Sequence, residues 1–244
     1  MLFVLTIAGW RRGMLAAIVA VALPAGLAGC SSSGGNDGAT TAANLPAAAG
    51  LLKASSQAMQ DVESAKFKLT GKGSLAGVEV DSASGTVTSD GRAQGSVKIL
   101  QNGSLAELDL IVIGPDIYIK GPTGSYIKLP PGAAGGVFDP SLILSSDRGL
   151  AKLEEFATNG KTVGEETVNG VDTYKVTADL DGTLVSHLMP MAAANSVPGT
   201  LWIAKDGNQL VQISVTTQQP GGKTADLTLG LSDFGVQTNI TPPA

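Results

Sequence analysis

Glu107-Leu108-Asp109-Leu110-Ile111-Val112, Gly114-Pro115-Asp116 and Ile117-Tyr118-Ile119-Lys120 follow one another as strand, turn and strand. The first segment alternates apolar and acidic residues and ends on β-branched ones, the pattern of a half-buried strand. Gly-Pro-Asp supplies turn chemistry, because Pro presets φ and Asp bonds its own backbone. A second turn leads to Tyr126-Ile127-Lys128-Leu129. Upstream, Lys66-Phe67-Lys68-Leu69-Thr70 alternates in the same way. Gly71 to Ala76 turns the chain. Val78, Val80, Val87, Val97 and Ile99 continue the period through three short segments, with Ser89-Asp90-Gly91 as a turn. Consecutive strands joined by short turns predict an antiparallel meander with one apolar face and one wet face.

An apolar sheet face needs a cover, and helical patterns supply it. Leu51, Leu52, Ser55, Met59 and Val62 fall on one face of a helix predicted over Leu45 to Ser64. Asp139-Pro140 opens a short helix over Leu142, Ile143 and Leu144, with Asp139 as N-cap and Pro140 at the first helical position. Leu150, Leu153 and Phe156 mark a second helix. Leu184 to Ala194 is a third, interrupted at Pro190. Thr173 to Thr177 is a strand after the Val168-Asn169-Gly170-Val171 hairpin turn. Gly199 to Ala204 and Gln209 to Thr216 flank the turn Lys205-Asp206-Gly207-Asn208, and Ala225 to Asp233 is the final strand. The expected fold is α+β, one antiparallel sheet with helices on one side.

The 244 residues are 43% apolar and 15% charged, enough for one sizeable core. Sixteen basic residues against 21 acidic ones, with no basic block, leave no footprint for nucleic acid. Arg11 and Arg12 precede an apolar run from Met14 to Leu23, too short for a comfortable membrane span. Leu27-Ala28-Gly29-Cys30 then has the small residues and the thiol of a bacterial lipobox. Residues 1–29 are therefore expected to be a lipoprotein signal peptide and Cys30 the lipidated residue. Ser31-Ser32-Ser33-Gly34-Gly35-Asn36-Asp37-Gly38 opens a flexible tether over 30–44, ahead of a folded domain over 45–244. The expected location is the extracytoplasmic side of a cell membrane.

Catalytic chemistry is nearly absent from the sequence. Cys30 is the only cysteine and His187 the only histidine, so no disulfide can form within the chain. A metal site would have to rest on carboxylates, and none has EF-hand spacing. No Gly-x-Ser-x-Gly elbow exists, and His187 is expected to be an ordinary helix residue. Glu154-Glu155 and Glu165-Glu166 are adjacent pairs whose members do not face each other, and both are expected to be solvated charge. No phosphate loop, cofactor or metal site is expected. What the composition offers is an apolar interior, either filled or hollow.

Several tracts resemble the LppX–LprAFG lipoprotein family of mycobacteria. They are Val137-Phe138-Asp139-Pro140-Ser141-Leu142-Ile143-Leu144 with Asp147-Arg148-Gly149-Leu150-Ala151, then Gly95-Ser96-Val97-Lys98-Ile99, Val197-Pro198-Gly199-Thr200-Leu201-Trp202-Ile203, and Leu227-Thr228-Leu229-Gly230-Leu231-Ser232-Asp233-Phe234-Gly235. The resemblance implies a half-barrel: a strongly curved antiparallel sheet with helices on its concave face, like the Lol-type carriers. It also implies a non-enzymatic role, binding a multi-acylated lipid or lipoglycan in an apolar cavity and carrying it across the envelope. The cavity walls would then be Phe67, Leu69, Val78, Val80, Val87, Val97, Ile99, Leu108, Leu110, Val112, Ile117 and Ile119 from the strands. Leu142, Leu150, Leu153, Phe156 and Leu188 would come from the helices. The implied partners are the lipid, the membrane through the anchor and a membrane exporter, with the carrier itself a monomer. The competing readings are an envelope module that binds a protein partner without lipid, and a lipid hydrolase.

Overall fold

The alternating segments pair into one antiparallel sheet. The computed structural model describes residues 45–72, 79–101, 104–121, 124–130, 139–188, 195–218 and 224–243. The expected leader, Cys30, the tether, Val78, the turn after Lys72 and the second half of the third helix lie outside them.

Helix α1 (Ala48–Gln60) leads into β1 (Ser64–Lys72), β2 (Glu79–Thr88), β3 (Arg92–Gln101), β4 (Ser104–Ile113), β5 (Asp116–Lys120) and β6 (Tyr126–Lys128). A 3₁₀ turn (Pro140–Leu142), α2 (Leu150–Glu155), β7 (Thr158–Val168), β8 (Val171–Asp181) and α3 (Gly182–Leu188) follow. The chain then returns through β9 (Ser196–Ala204), β10 (Leu210–Gln218) and β11 (Thr224–Ser232). The strand order is β6-β5-β4-β3-β2-β1-β11-β10-β9-β8-β7. Two meanders thus meet where the first strand pairs with the last, Phe67 opposite Leu231 and Leu69 opposite Leu229.

Most elements match their sequence signals. Asp139 caps the 3₁₀ turn, accepting from Ser141 N at 3.0 Å. The expected helix there is one tight turn only, because the chain leaves it at Ile143. Asn169 and Gly170 both have positive φ, 51° and 83°, as a two-residue type I′ hairpin requires. Helix α3 starts two residues early because Asp181 Oδ1 accepts from Thr183 N at 2.8 Å and Leu184 N at 3.0 Å. Strand β2 is continuous, so the three short segments expected there are two ten-residue strands.

Strand β7 has no sequence signal. It is an edge strand with both faces mostly wet, so no period-2 apolar pattern is needed to hold it. Pairing along β8 suffices, with Thr162 opposite Val176. Thr162 Oγ1 also donates to Pro46 O at 2.7 Å, tying the start of α1 to this edge.

Gly85 and Gly95 face each other across β2 and β3. A Cβ built on Gly85 would strike the Gln94 carbonyl oxygen and come within 2.7 Å of Gly95 Cα. One on Gly95 would strike the Ser84 carbonyl oxygen and come within 2.8 Å of Gly85 Cα. Only glycine lets the two backbones approach so closely. Gly85→Val is expected to cost about 3 kcal/mol or more, because the obstruction is backbone and cannot swing aside. A urea melt that left the midpoint unchanged would contradict this.

Candidate functional site

Register places most apolar side chains of the inner strands on one face of the sheet, while Ile111 and a small cluster of Val168, Trp202, Ala204 and Val211 lie outside the main core. Phe67 and Leu69 lie opposite Leu231 and Leu229; Val87 lies opposite Ala93, and Val97 opposite Ala83 and Leu108. Leu110 pairs with Ile119 and Val112 with Ile117. On the far half Val176 pairs with Leu201, and Ile213 with both Leu201 and Leu229. These residues form one core with Leu51, Leu52 and Met59 of α1, Leu150 and Leu153 of α2, and Val185 and Leu188 of α3. The helices therefore lie on the apolar face. Lysines and hydroxyls such as Lys66, Lys68, Thr70 and Thr86 occupy the other.

The cover is uneven. Helices α2 and α3 pack on β8, and α1 on α2 and β7. Beneath and beside them Phe67, Leu69, Val87, Leu110, Val112, Leu150, Leu153 and Leu188 are buried. On β3, β4 and β5 the same face carries Val97, Ile99, Leu108, Ile117 and Ile119 only partly buried. At the outer end of this stretch Ile127, opposite Ile119, is 60% exposed. Leu142, in the turn that packs against β2 and β3, is also partly buried. The result is an apolar sheet surface that runs from a sealed core to solvent. Each exposed branched side chain there forgoes about 1.5–3 kcal/mol of burial.

The expected wall residues thus fall into a sealed set and an open set on one continuous face. Val80 belongs to β2 by register, opposite Ile99. Phe156 stands apart: its ring is 52% exposed, with Lys152 Nζ 4.7 Å from its centroid. Ile127 escaped the sequence analysis, although its register opposite Ile119 puts it on the same face.

The expectation that Glu154 is solvated is wrong. Its residue is 1% exposed, beneath α1. Leu150, Ala151, Leu153 and Glu154 are the buried residues of α2, spaced as one helix face, so the position is core and the side chain follows. Burial pushes its carboxyl up to about 8, which the nearby Ser55 hydroxyl offsets only in part. Neither Ser55 Oγ nor either carboxyl oxygen has a hydrogen-bond partner of full geometry. Glu155 is exposed and pairs with Lys152 at 2.9 Å. Glu165 and Glu166 are at the surface as expected, Glu165 on Lys205 at 2.7 Å. Glu166 accepts from the Trp202 indole at 2.9 Å and from Lys175 at 3.0 Å, and these bonds hold its carboxyl below the usual range.

His187 is exposed on α3. Among the described residues no group of His, Cys, Asp and Glu is placed to hold a metal ion. No described helix is long and apolar enough to cross a membrane.

The family model of the LppX_LprAFG lipoproteins matches residues 47–240, nearly the whole described chain. The chain belongs to this family. It is 32% identical over 222 residues to the lipoarabinomannan carrier protein LprG of Mycolicibacterium smegmatis, covering 89% of this chain and 90% of that one. It is 31% identical over 239 residues to the lipoprotein LprA of Mycobacterium tuberculosis, covering 93% and 94%. The crystal structure of LprF from Mycobacterium bovis shares the fold, with a TM-score of 0.69 at 24% identity over 81% of this chain and 97% of that one. LppX from M. tuberculosis superposes with a TM-score of 0.58 at 23% identity over 79% and 97%. As a member of the LppX_LprAFG lipoproteins the chain is not an enzyme.

Proposed function

We propose that this protein is a membrane-anchored extracytoplasmic carrier that takes the acyl chains of a multi-acylated lipid or lipoglycan against the apolar sheet face and moves them across the cell envelope. The observation that carries this reading is the half-exposed row of Val97, Ile99, Leu108, Ile117, Ile119 and Ile127, continuous with the core. A relative that bears the name of a lipoarabinomannan carrier adds support. In this reading the sheet curls as a half-barrel around the chains, with the helices in its concave side. Each acyl methylene removed from water contributes about 0.8 kcal/mol, so a dozen contribute ~10 kcal/mol before ordering costs. The headgroup stays at the mouth, in water. Cys30 carries the lipid anchor, the tether gives the domain reach from the membrane, and an exporter in the membrane is the partner for hand-over. The carrier works as a monomer and engages no nucleic acid.

The test is mass spectrometry of solvent extracts from the mature chain made without leader and with Cys30→Ala. Acyl-bearing molecules in stoichiometric amount are the expected result. Extracts without them, from a protein that also fails to take up added lipid, would leave a protein-binding envelope module as the better reading. In the native host, Cys30→Ala is expected to move the protein from the membrane to the soluble fraction, since two acyl chains are what hold such an anchor. Persistence in the membrane fraction would refute the anchor.

A further inference from the structure

The tripeptide Tyr-Ile-Lys stands at 118–120 in β5 and again at 126–128 in β6. The two stretches pair antiparallel, Tyr118 opposite Lys128, Ile119 opposite Ile127 and Lys120 opposite Tyr126. Each lysine lies against the opposing ring. Lys120 Nζ is 5.5 Å from the Tyr126 centroid, and Lys128 Nζ is 5.9 Å from that of Tyr118. The tripeptide is therefore its own antiparallel complement, a tyrosine meeting each lysine and isoleucine meeting isoleucine.

Among the described residues β6 ends the sheet, with no strand on its outer side. Leu129 N donates to Ile117 O at 2.8 Å. Ladder bonds alternate along a strand, so Ile127 and Leu129 turn their backbone groups toward β5, while Tyr126 and Lys128 turn theirs outward. The opposite edge of the sheet is guarded: β7 has two register shifts, and its Thr162 is tied to Pro46. The β5–β6 ladder has no such shift. An edge lysine ordinarily keeps a second copy away, but here antiparallel pairing meets it with a tyrosine.

We propose that the outer edge of β6 is a self-pairing surface, to which a second copy of this chain adds its own Tyr126-Ile127-Lys128, antiparallel about a two-fold axis at Ile127. Tyr126 of each copy exchanges both ladder bonds with Lys128 of the other, and Ile127 meets Ile127. Ile127 shares the face of Ile119, so the second copy extends the apolar strip and the two strips become one. A contact of three residues a side is small, and its dissociation constant is expected on the order of 1 mM. The chain is then a monomer in dilute solution and pairs where copies are crowded, as anchoring to one membrane crowds them. In the carrier reading the joined strip lets acyl chains pass from copy to copy, but the pairing itself does not rest on that reading.

The experiment is sedimentation equilibrium of the mature Cys30→Ala chain up to about 1 mM, with amide NMR shifts followed over the same range. A monomer–dimer equilibrium is expected, with shifts centred on β5 and β6. Tyr126→Pro removes an outward N–H that β5 does not use, at the first residue of an edge strand, and is expected to weaken pairing about tenfold or more in a folded chain. Ile127→Asp alone and Ile127→Lys alone are each expected to stay monomeric, because like charges meet at the axis. An equimolar mixture of the two is expected to pair, which a merely sticky surface would not do. A chain that stays monomeric throughout, wild-type association in the folded Tyr126→Pro variant, or no gain on mixing the charged variants overturns the proposal. If Tyr126→Pro does not fold, the charged pair decides. Lipid extracted from the same preparation reports separately on the sheet face. Bound lipid without pairing removes only this surface, and pairing without bound lipid removes only the carrier reading.

Discussion

Val97→Trp is expected to give a folded protein that no longer retains lipid. Val97 sits in the third strand between Ala83 and Leu108, on the apolar face where burial gives way to solvent. Leu108 beside it is itself partly exposed, so an indole can extend over Leu108 toward solvent. The extra volume costs ~1–3 kcal/mol in strain, within what a domain of this size tolerates. The same indole occupies the strip of surface on which acyl methylenes would lie. Losing contact with three or four of them removes ~3 kcal/mol, about a hundredfold in retention. Circular dichroism and a melting curve establish the fold, and extraction measures the lipid. Wild-type lipid content in a folded Val97→Trp protein would place the acyl chains elsewhere.

Glu154→Gln is expected to stabilise the protein near neutral pH and to flatten its dependence on pH. The carboxyl binds its proton more tightly folded than unfolded, about 8 against an ordinary 4.5. Between those two values the folded chain holds a proton that the unfolded chain has released. Stability from this group is therefore full below the unfolded value, falls as pH rises, and levels off above the folded value. The slope is about 1.4 kcal/mol per pH unit, so the fall from pH 5 to pH 8 is ~4 kcal/mol. The charged groups around it are Lys53 on the first helix and Glu155 with Lys152 on the second. The eighth strand and third helix contribute Val176, Ala178, Leu180, Val185 and Leu188 to the buried core, with Tyr174 and Leu184 partly buried against it. Glutamine has nearly the same shape and no proton to lose. Urea midpoints at pH 5 and pH 8 should separate strongly for the wild type and little for the variant. Equal separation would mean that the carboxyl is hydrated in solution.

Local chemistry explains which elements were legible. Leu108, Leu110 and Val112 alternate because one face of their strand is buried, and the Gly-Pro-Asp turn dictates its own geometry. Asp139 and the Asn169-Gly170 pair act through backbone geometry within a few residues, so their roles can be read from sequence. Thr158 to Val168 could not be read, because an edge strand with two wet faces borrows its order from its neighbour. Glu154 was read by its charge, whereas its position on the helix decided its burial.

The site divides in the same way. That Val97, Ile99, Leu108, Ile117 and Ile119 share a face follows from a period of two and needs no structure. That they are open while Phe67, Leu69 and Val87 are sealed depends on where the helices land. The sequence by itself determined every strand but the seventh, most of the turns, the apolar face and the family resemblance. Tertiary structure alone decided that the first strand pairs with the last and that the helices cover one half of the sheet. The reason is range: side-chain alternation and caps act over a few residues, while the pairing of first and last strands and helix docking depend on contacts between segments 95 or more residues apart, which no local pattern encodes.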